Sequence, residues 1–132
     1  MLLTMMLHIV FDQMTTAGYL AEKATMQLSN IFVHHVYFWL NNPGSEEDLE
    51  ALLAGLKKLA SVETIYQFHI GTPAATRREV IDSSYAASWM VIFKTAEDQG
   101  SYQVDPIHLD FVKECSHLWS KVTVYDSIDA NL

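Results

Sequence analysis

Apolar residues in this chain fall in runs whose spacing alternates between strand-like and helix-like. The segment 31–40, IFVHHVYFWL, is rich in β-branched and aromatic residues and stops at Asn41-Asn42-Pro43-Gly44, so it predicts a first strand closed by a turn. Ser45 then stands at an N-cap position, with Asp48 at the capping-box position and acids in the first turn. Leu49, Leu52, Leu53, Leu56 and Leu59 follow at helical spacing, so one stripe of this helix faces a core. Lys57 and Lys58 lie near its end, where the helix dipole favours cations.

Alternation over 62–70 predicts a second strand, stopped by Gly71-Thr72-Pro73. A loop carrying Arg77 and Arg78 leads to 85–94, which is apolar on both faces as in a central, covered strand. Thr95 with Asp98 caps a short helix ending near Tyr102, and Asp105-Pro106 opens another with Asp as N-cap and Pro at the first helical position. Ile107, Phe111, Val112 and Cys115 are the apolar residues of that helix, and a fourth strand is expected over about 119–128. The order β-α-β-β-α-β, with the second helix broken in two, is the split βαβ of an α+β, ferredoxin-like fold with an antiparallel sheet. Helices on one face leave the other face uncovered although it is also apolar. Pairing two such sheets across a two-fold axis would cover it, which makes a homodimeric α/β barrel the expected assembly.

Composition narrows the function classes. The chain has 132 residues, half of them hydrophobic, which suits one domain over 31–128 preceded by an N-terminal extension, 1–30, expected to be partly helical. The apolar opening stretch is far short of the roughly 20 residues that span a bilayer, and it lacks a secretory n-region and cleavage site, so export is not expected. Cys115 is the single cysteine, which excludes an internal disulfide and a Cys-based zinc site and fits a reducing cytoplasm. The net charge of −8, with only Lys57-Lys58 and Arg77-Arg78 clustered, argues against nucleic acid and against anionic membranes as partners. Neither nucleotide-binding motif nor a metal-ligand spacing is present, so neither cofactor nor metal is expected.

Three short patterns resemble a known family. His34-x-Val36-x-Phe38 is similar to an H-x-V-x-F opening strand, and Tyr102-x-x-x-Pro106-x-His108-x-x-Phe111 to a Y-x-x-H-P-x-H-x-x-F signature. Val124-Tyr125-Asp126 closes the last strand as V-x-D. Together, over roughly residues 31–128, they resemble the stress-responsive dimeric A/B-barrel family. That resemblance implies a homodimer whose sheets form a barrel with helices outside. It departs at Asp105, where the family often has His; Asp is the better N-cap, and the change removes an imidazole. The family includes a plant polyketide (olivetolic acid) cyclase that works by aldol chemistry, and its Tyr and His are similar in placement to Tyr102 and His108. By the same resemblance, His34, Phe111 and Trp119 fall at its pocket positions, while a further pocket His corresponds to Ala87 here.

On chemical grounds Tyr102 and His108 form the candidate catalytic pair. A neutral imidazole can take a proton α to a carbonyl, and a phenol can hold the oxygen on which charge develops, with no metal or cofactor. The alternative is that Tyr102 packs at a helix end and His108 hydrogen-bonds across the helix junction. His34 and His35 are neighbours on a strand and point to opposite faces, so they form no joint metal site; His34, beside Val36 and Phe38, needs a polar partner. Trp89, Val91, Phe111 and Trp119 join His34 as candidate pocket residues, the tryptophans suiting flat or greasy ligands. Cys115 reads as a buried, inert thiol and Arg77-Arg78 as a solvated pair at a loop. Three functions fit: a dimer binding a small hydrophobic molecule, a cofactor-independent cyclase, lyase or isomerase acting on a polyketide-like or β-keto substrate, and a structural dimer whose interior is filled by side chains.

Overall fold

The computed structural model describes residues 24–131. The expected extension 1–30 therefore lies mostly outside the described residues, and its described part, 24–30, is neither helix nor strand. From there the elements run β1 (Phe32–Leu40), α1 (Glu46–Leu59), β2 (Gln67–Gly71), β3 (Ala87–Phe93), α2 (Ala96–Val104), α3 (Pro106–Cys115), a 3₁₀ turn (Ser116–Leu118) and β4 (Trp119–Ile128). The strands form one antiparallel sheet in the order β2-β3-β1-β4, the ferredoxin-like α+β arrangement.

Helix starts follow from their caps. The Ser45 hydroxyl accepts from Asp48 N, the Thr95 hydroxyl from Asp98 N, and the Asp105 carboxylate from Ile107 N at 2.8 Å. Gly44, at φ +83°, makes the left-handed turn between β1 and α1 without the penalty a Cβ would bring. The second strand is shorter than its alternation predicts. Val62 is buried, but Val62 N donates to Leu59 O and Ile65 N to Val62 O, so these apolar residues close the exit from α1 and pairing begins only at Gln67.

Pairing register sorts every strand residue by face. Val36, Phe38 and Leu40 of β1 lie under the helices with Trp89, Val91 and Phe93 of β3, against Leu52, Leu56 and Leu59 of α1. Opposite them, β1 turns Val33, His35, Tyr37 and Trp39 to the open face, beside Ser88, Met90 and Ile92 of β3. Edge strands β2 and β4 add Gln67, His69 and Gly71 on one side and Lys121, Thr123, Tyr125 and Ser127 on the other. This open face carries half-buried Tyr37 and Trp39 and a Tyr125 that is 65 % exposed. No described helix is long and apolar enough to cross a membrane.

The helices do not cover the whole sheet. α1 packs on β2, β3 and α3, while α2 packs on β1 and β3. The helix-side valines of edge strand β4 are left bare: Val122 is 36 % and Val124 47 % exposed. A cleft opens there, between the helix junction and β4.

Candidate functional site

The junction between α2 and α3 shapes the inner end of this cleft. Pro106 disfavours a helical conformation in the residue before it, and Asp105 sits at φ −63°, ψ 137°, at once the C-cap of α2 and the N-cap of α3. The last turn of α2 and the first turn of α3 thus fold onto the same side, and the Tyr102 and His108 rings meet with centroids 4.7 Å apart. Beneath them β1 contributes His34, whose ring stands edge-on to Tyr102 at 5.7 Å.

These three polar side chains lie on one wall of a cavity of about 130 Å³. Trp89, Phe111 and Trp119 line it as well, together with Val36, Phe38 and Leu59, and Val112, Val122 and Val124 form its exposed apolar mouth. Of the residues the sequence singles out for a pocket, only Val91 stands apart. It is fully buried on the helix side of β3, paired between His34 and Phe68, but it does not line the cavity. Its side chain belongs to the packed core behind the pocket. Arg77 and Arg78 are exposed on the loop before β3 and do not line the cavity.

Each polar group has a defined state. His34 is 5 % exposed, and its Nδ1 lies 2.6 Å from Asp126 Oδ1 on the neighbouring edge strand. An imidazole meeting a carboxylate there donates its Nδ1 proton to it, which fixes the orientation of the ring. Tyr102 is 1 % exposed, and its oxygen accepts from Trp89 Nε1 at 3.0 Å. Burial pushes the phenol pKa up to about 12, against the smaller opposing effect of the Trp89 bond, so the hydroxyl stays protonated. With the indole donating to its oxygen, the Tyr102 proton is free for a ligand acceptor.

His108 is held neutral. Burial lowers its pKa, the neighbouring His34 adds to that, and the Gln103 backbone and Asp105 oppose it. Its Nδ1 is buried without a hydrogen-bond partner among the described residues, while the Gln103 backbone, across the helix junction, acts on the ring as a hydrogen-bond partner, the contact that the alternative expects. A buried polar atom left without a partner calls for an explanation, and a ligand polar group is one. Cys115, by contrast, is buried with its thiol pKa raised by burial, which leaves it unreactive. Among the described residues no three His, Cys, Asp or Glu side chains gather to hold a metal ion.

Sequence reasoning missed the partner of His34, the Trp89–Tyr102 bond and the three mouth valines. Asp126 stands in the V-x-D triplet, so a signal was present, but its pairing with His34 spans 92 residues and emerges only from the β1–β4 register.

The family model for the stress-responsive A/B barrel domain matches residues 32–129, from the first residue of β1 to just past the end of β4. The chain belongs to this family. Solved structures of similar fold include a Dabb-family (stress-responsive A/B-barrel) protein with a ferredoxin-like fold from Mesorhizobium loti, 18 % identical with a TM-score of 0.65, covering 76 % of this chain and 98 % of its own. A hydroxynitrile lyase from Passiflora edulis is 18 % identical with a TM-score of 0.66, over 77 % of this chain and 95 % of its own. A dimeric protein of unknown function from Bacteroides fragilis is 15 % identical with a TM-score of 0.61, over 78 % and 100 %. No curated protein matches the chain in sequence.

Proposed function

We propose that this stress-responsive A/B barrel protein binds a small, largely apolar molecule with a polar head in the cleft between the α2–α3 junction and β4. The observation that carries this reading is the convergence of a protonated phenol, a neutral imidazole with a buried nitrogen that has no partner among the described residues, and a carboxylate-held imidazole in a cavity whose remaining lining is apolar except for Gln103. A cavity of 130 Å³ takes a head of about the size of a single six-membered ring, since dry apolar cavities of about 150 Å³ bind benzene. The rest of such a ligand would lie across Val112, Val122 and Val124, whose exposure a ligand tail would reduce. The head groups that match are carbonyl or hydroxyl oxygens able to accept from Tyr102 and to bond His108.

A second reading, cofactor-independent catalysis, is favoured by the same polar wall. His108, as a neutral base, would take a proton from a carbon or hydroxyl of the substrate, and Tyr102 would donate to the oxygen on which charge accumulates. Asp126 would hold the orientation of His34. A neighbour of this fold is named a hydroxynitrile lyase, which supports this second reading by analogy of fold.

The open face of the sheet is read as the surface on which two copies meet. Its exposed Tyr125 and half-buried Tyr37 and Trp39 lack cover among the described residues, and structures of this fold are described as dimeric. The single buried thiol suits a cytoplasmic setting, and the acidic composition offers no basic face for nucleic acid. Native mass spectrometry of gently purified protein tests both parts. A two-chain mass carrying a reproducible small adduct, lost when Val124→Trp narrows the mouth, is the expected result. A single-chain mass would overturn the dimer, and a bare dimer that no alkylphenol or alkanone stabilises against heat would overturn the binding site.

A further inference from the structure

We infer that self-association of this protein through its open sheet face is acid-sensitive, with His35 as the switch. The inference rests on the reading of that face as the dimer surface and goes beyond it by assigning its regulation. In a chain of net charge −8, none of the side chains that the four strands turn to the open face is acidic. The one permanent charge on that face is the Lys121 ammonium, and protonated histidines add to that positive charge.

His35 lies at its centre, on an inner strand, paired with Met90 of β3 and Tyr125 of β4. Its ring stacks on Tyr37 with centroids 4.5 Å apart, and Nδ1 meets the Tyr37 hydroxyl at 3.3 Å. His69 of β2 shares its row on the far side of Met90, and Lys121 of β4 lies further along the face, its ammonium over the Trp39 ring. The acid beside this face, Asp82, is on the loop before β3. It lines a separate cavity with Tyr37, Trp39, Tyr85 and Tyr125, and its carboxylate is held by the Ser84 amide and hydroxyl. The one carboxylate on the strands, Asp126 of β4, turns to the other face and meets His34, so none on the open face accepts the charge of a protonated His35.

The influences that shift the pKa of His35 all lower it. Burial is the main cause that lowers its pKa, and His69 and His34, the latter on the opposite face, add to it. A second copy laid on this face removes more water and brings a second His35 near the first, because a two-fold interface presents the same patch twice. Proton binding is then weaker in the dimer than in the monomer. Association is consequently intact above the range in which the monomer's His35 titrates and is lost as pH falls through that range. Each histidine that must shed its proton to become buried weakens association by up to about tenfold per pH unit below its titration, and two copies contribute one each.

Sedimentation velocity of the full chain at about pH 7.5 and about pH 5, at constant ionic strength, reads this directly, because a histidine whose pKa is lowered takes up its charge below the ordinary value of about 6.5. The dimer dissociation constant should rise about tenfold or more on acidification. His35→Phe, which keeps the stack on Tyr37 without a titrating group, should remove most of that rise; His35→Gln serves if the phenylalanine variant misfolds. His117→Gln, off the face, should leave the rise intact. Far-UV circular dichroism at the lower pH should remain native, and loss of the fold before dissociation would overturn the inference. So would a dimer equally tight at both pH values, or a pH effect undiminished in both His35 variants. A monomer at both pH values would instead overturn the dimer reading on which it rests.

Discussion

Replacing Tyr102 with Phe removes one oxygen atom and nothing else, which makes it a sharp test of how the cavity wall is built. The Trp89 indole N–H, buried with its residue at 1 % exposure, donates to that oxygen at 3.0 Å. In the variant the donor has no partner, and a buried donor left unsatisfied costs about 1–3 kcal/mol. For a domain of this size each kcal/mol lowers Tm by about 4–8 °C, so Tyr102→Phe should melt several degrees below the parent. Trp89→Phe removes the other partner but also leaves a void, adding a packing cost of its own. The double variant should therefore be less damaged than the sum of the two single ones, with a coupling of about 1 kcal/mol between the positions. Urea unfolding followed by circular dichroism at one fixed protein concentration provides the four free energies, the fixed concentration being needed because dimerisation itself adds stability. Additive losses, or a Tyr102→Phe variant as stable as the parent, would show that the phenol oxygen does not accept from Trp89 and would remove the reason for thinking its own proton is free.

Gly55→Ala places a Cβ 2.5 Å from Cys115 Sγ and 3.3 Å from two Phe111 ring carbons, so overpacking of about 1–3 kcal/mol should outweigh the roughly 1 kcal/mol gained in helix propensity. Thermal melts of Gly55→Ala alone and with Cys115→Ala check this: the second substitution should recover most of the loss. Asp126→Ala leaves His34 Nδ1 buried and without its partner, and a loss of about 1–2 kcal/mol is expected by chemical denaturation. The pKa values of His108 and His35 lie below that of an unfolded histidine, so the unfolded chain binds their protons more readily. Stability should thus be full above the unfolded value, about 6.5, and fall as pH drops below it towards the folded values, in melts at fixed ionic strength.

Local chemistry made much of this fold legible in advance. The Ser45, Thr95 and Asp105-Pro106 signals located three helix starts because a cap is a short-range bargain between a side chain and the amides two or three residues on. Strand faces were readable for the same reason, since alternation at His34 and His35 assigns opposite sides whatever packs there. The second strand was overextended because apolar Val62 and Ile65 look alike whether they line a sheet or plug a turn. The site was legible only in part. Tyr102 and His108 were paired through the family resemblance, and the proline-set junction is what brings their rings together. The mouth valines could not be, because alternation tells which face Val122 and Val124 occupy but not that the helices stop short of covering it. The His34–Asp126 bond depends on strand register across most of the chain, which no local pattern encodes.

The central claim is that the cleft beside β4, and not the aromatic open face, receives a small molecule. Nuclear magnetic resonance of protein with isotope-labelled histidine rings tests it most directly, with alkylphenols and alkanones as probes. Binding in the cleft should move the His34 and His108 ring signals together and leave His69 and His117 unmoved, with the response lost in Val124→Trp. Shifts confined to His35 and His69 on the opposite face, or no shift with any probe, would contradict it.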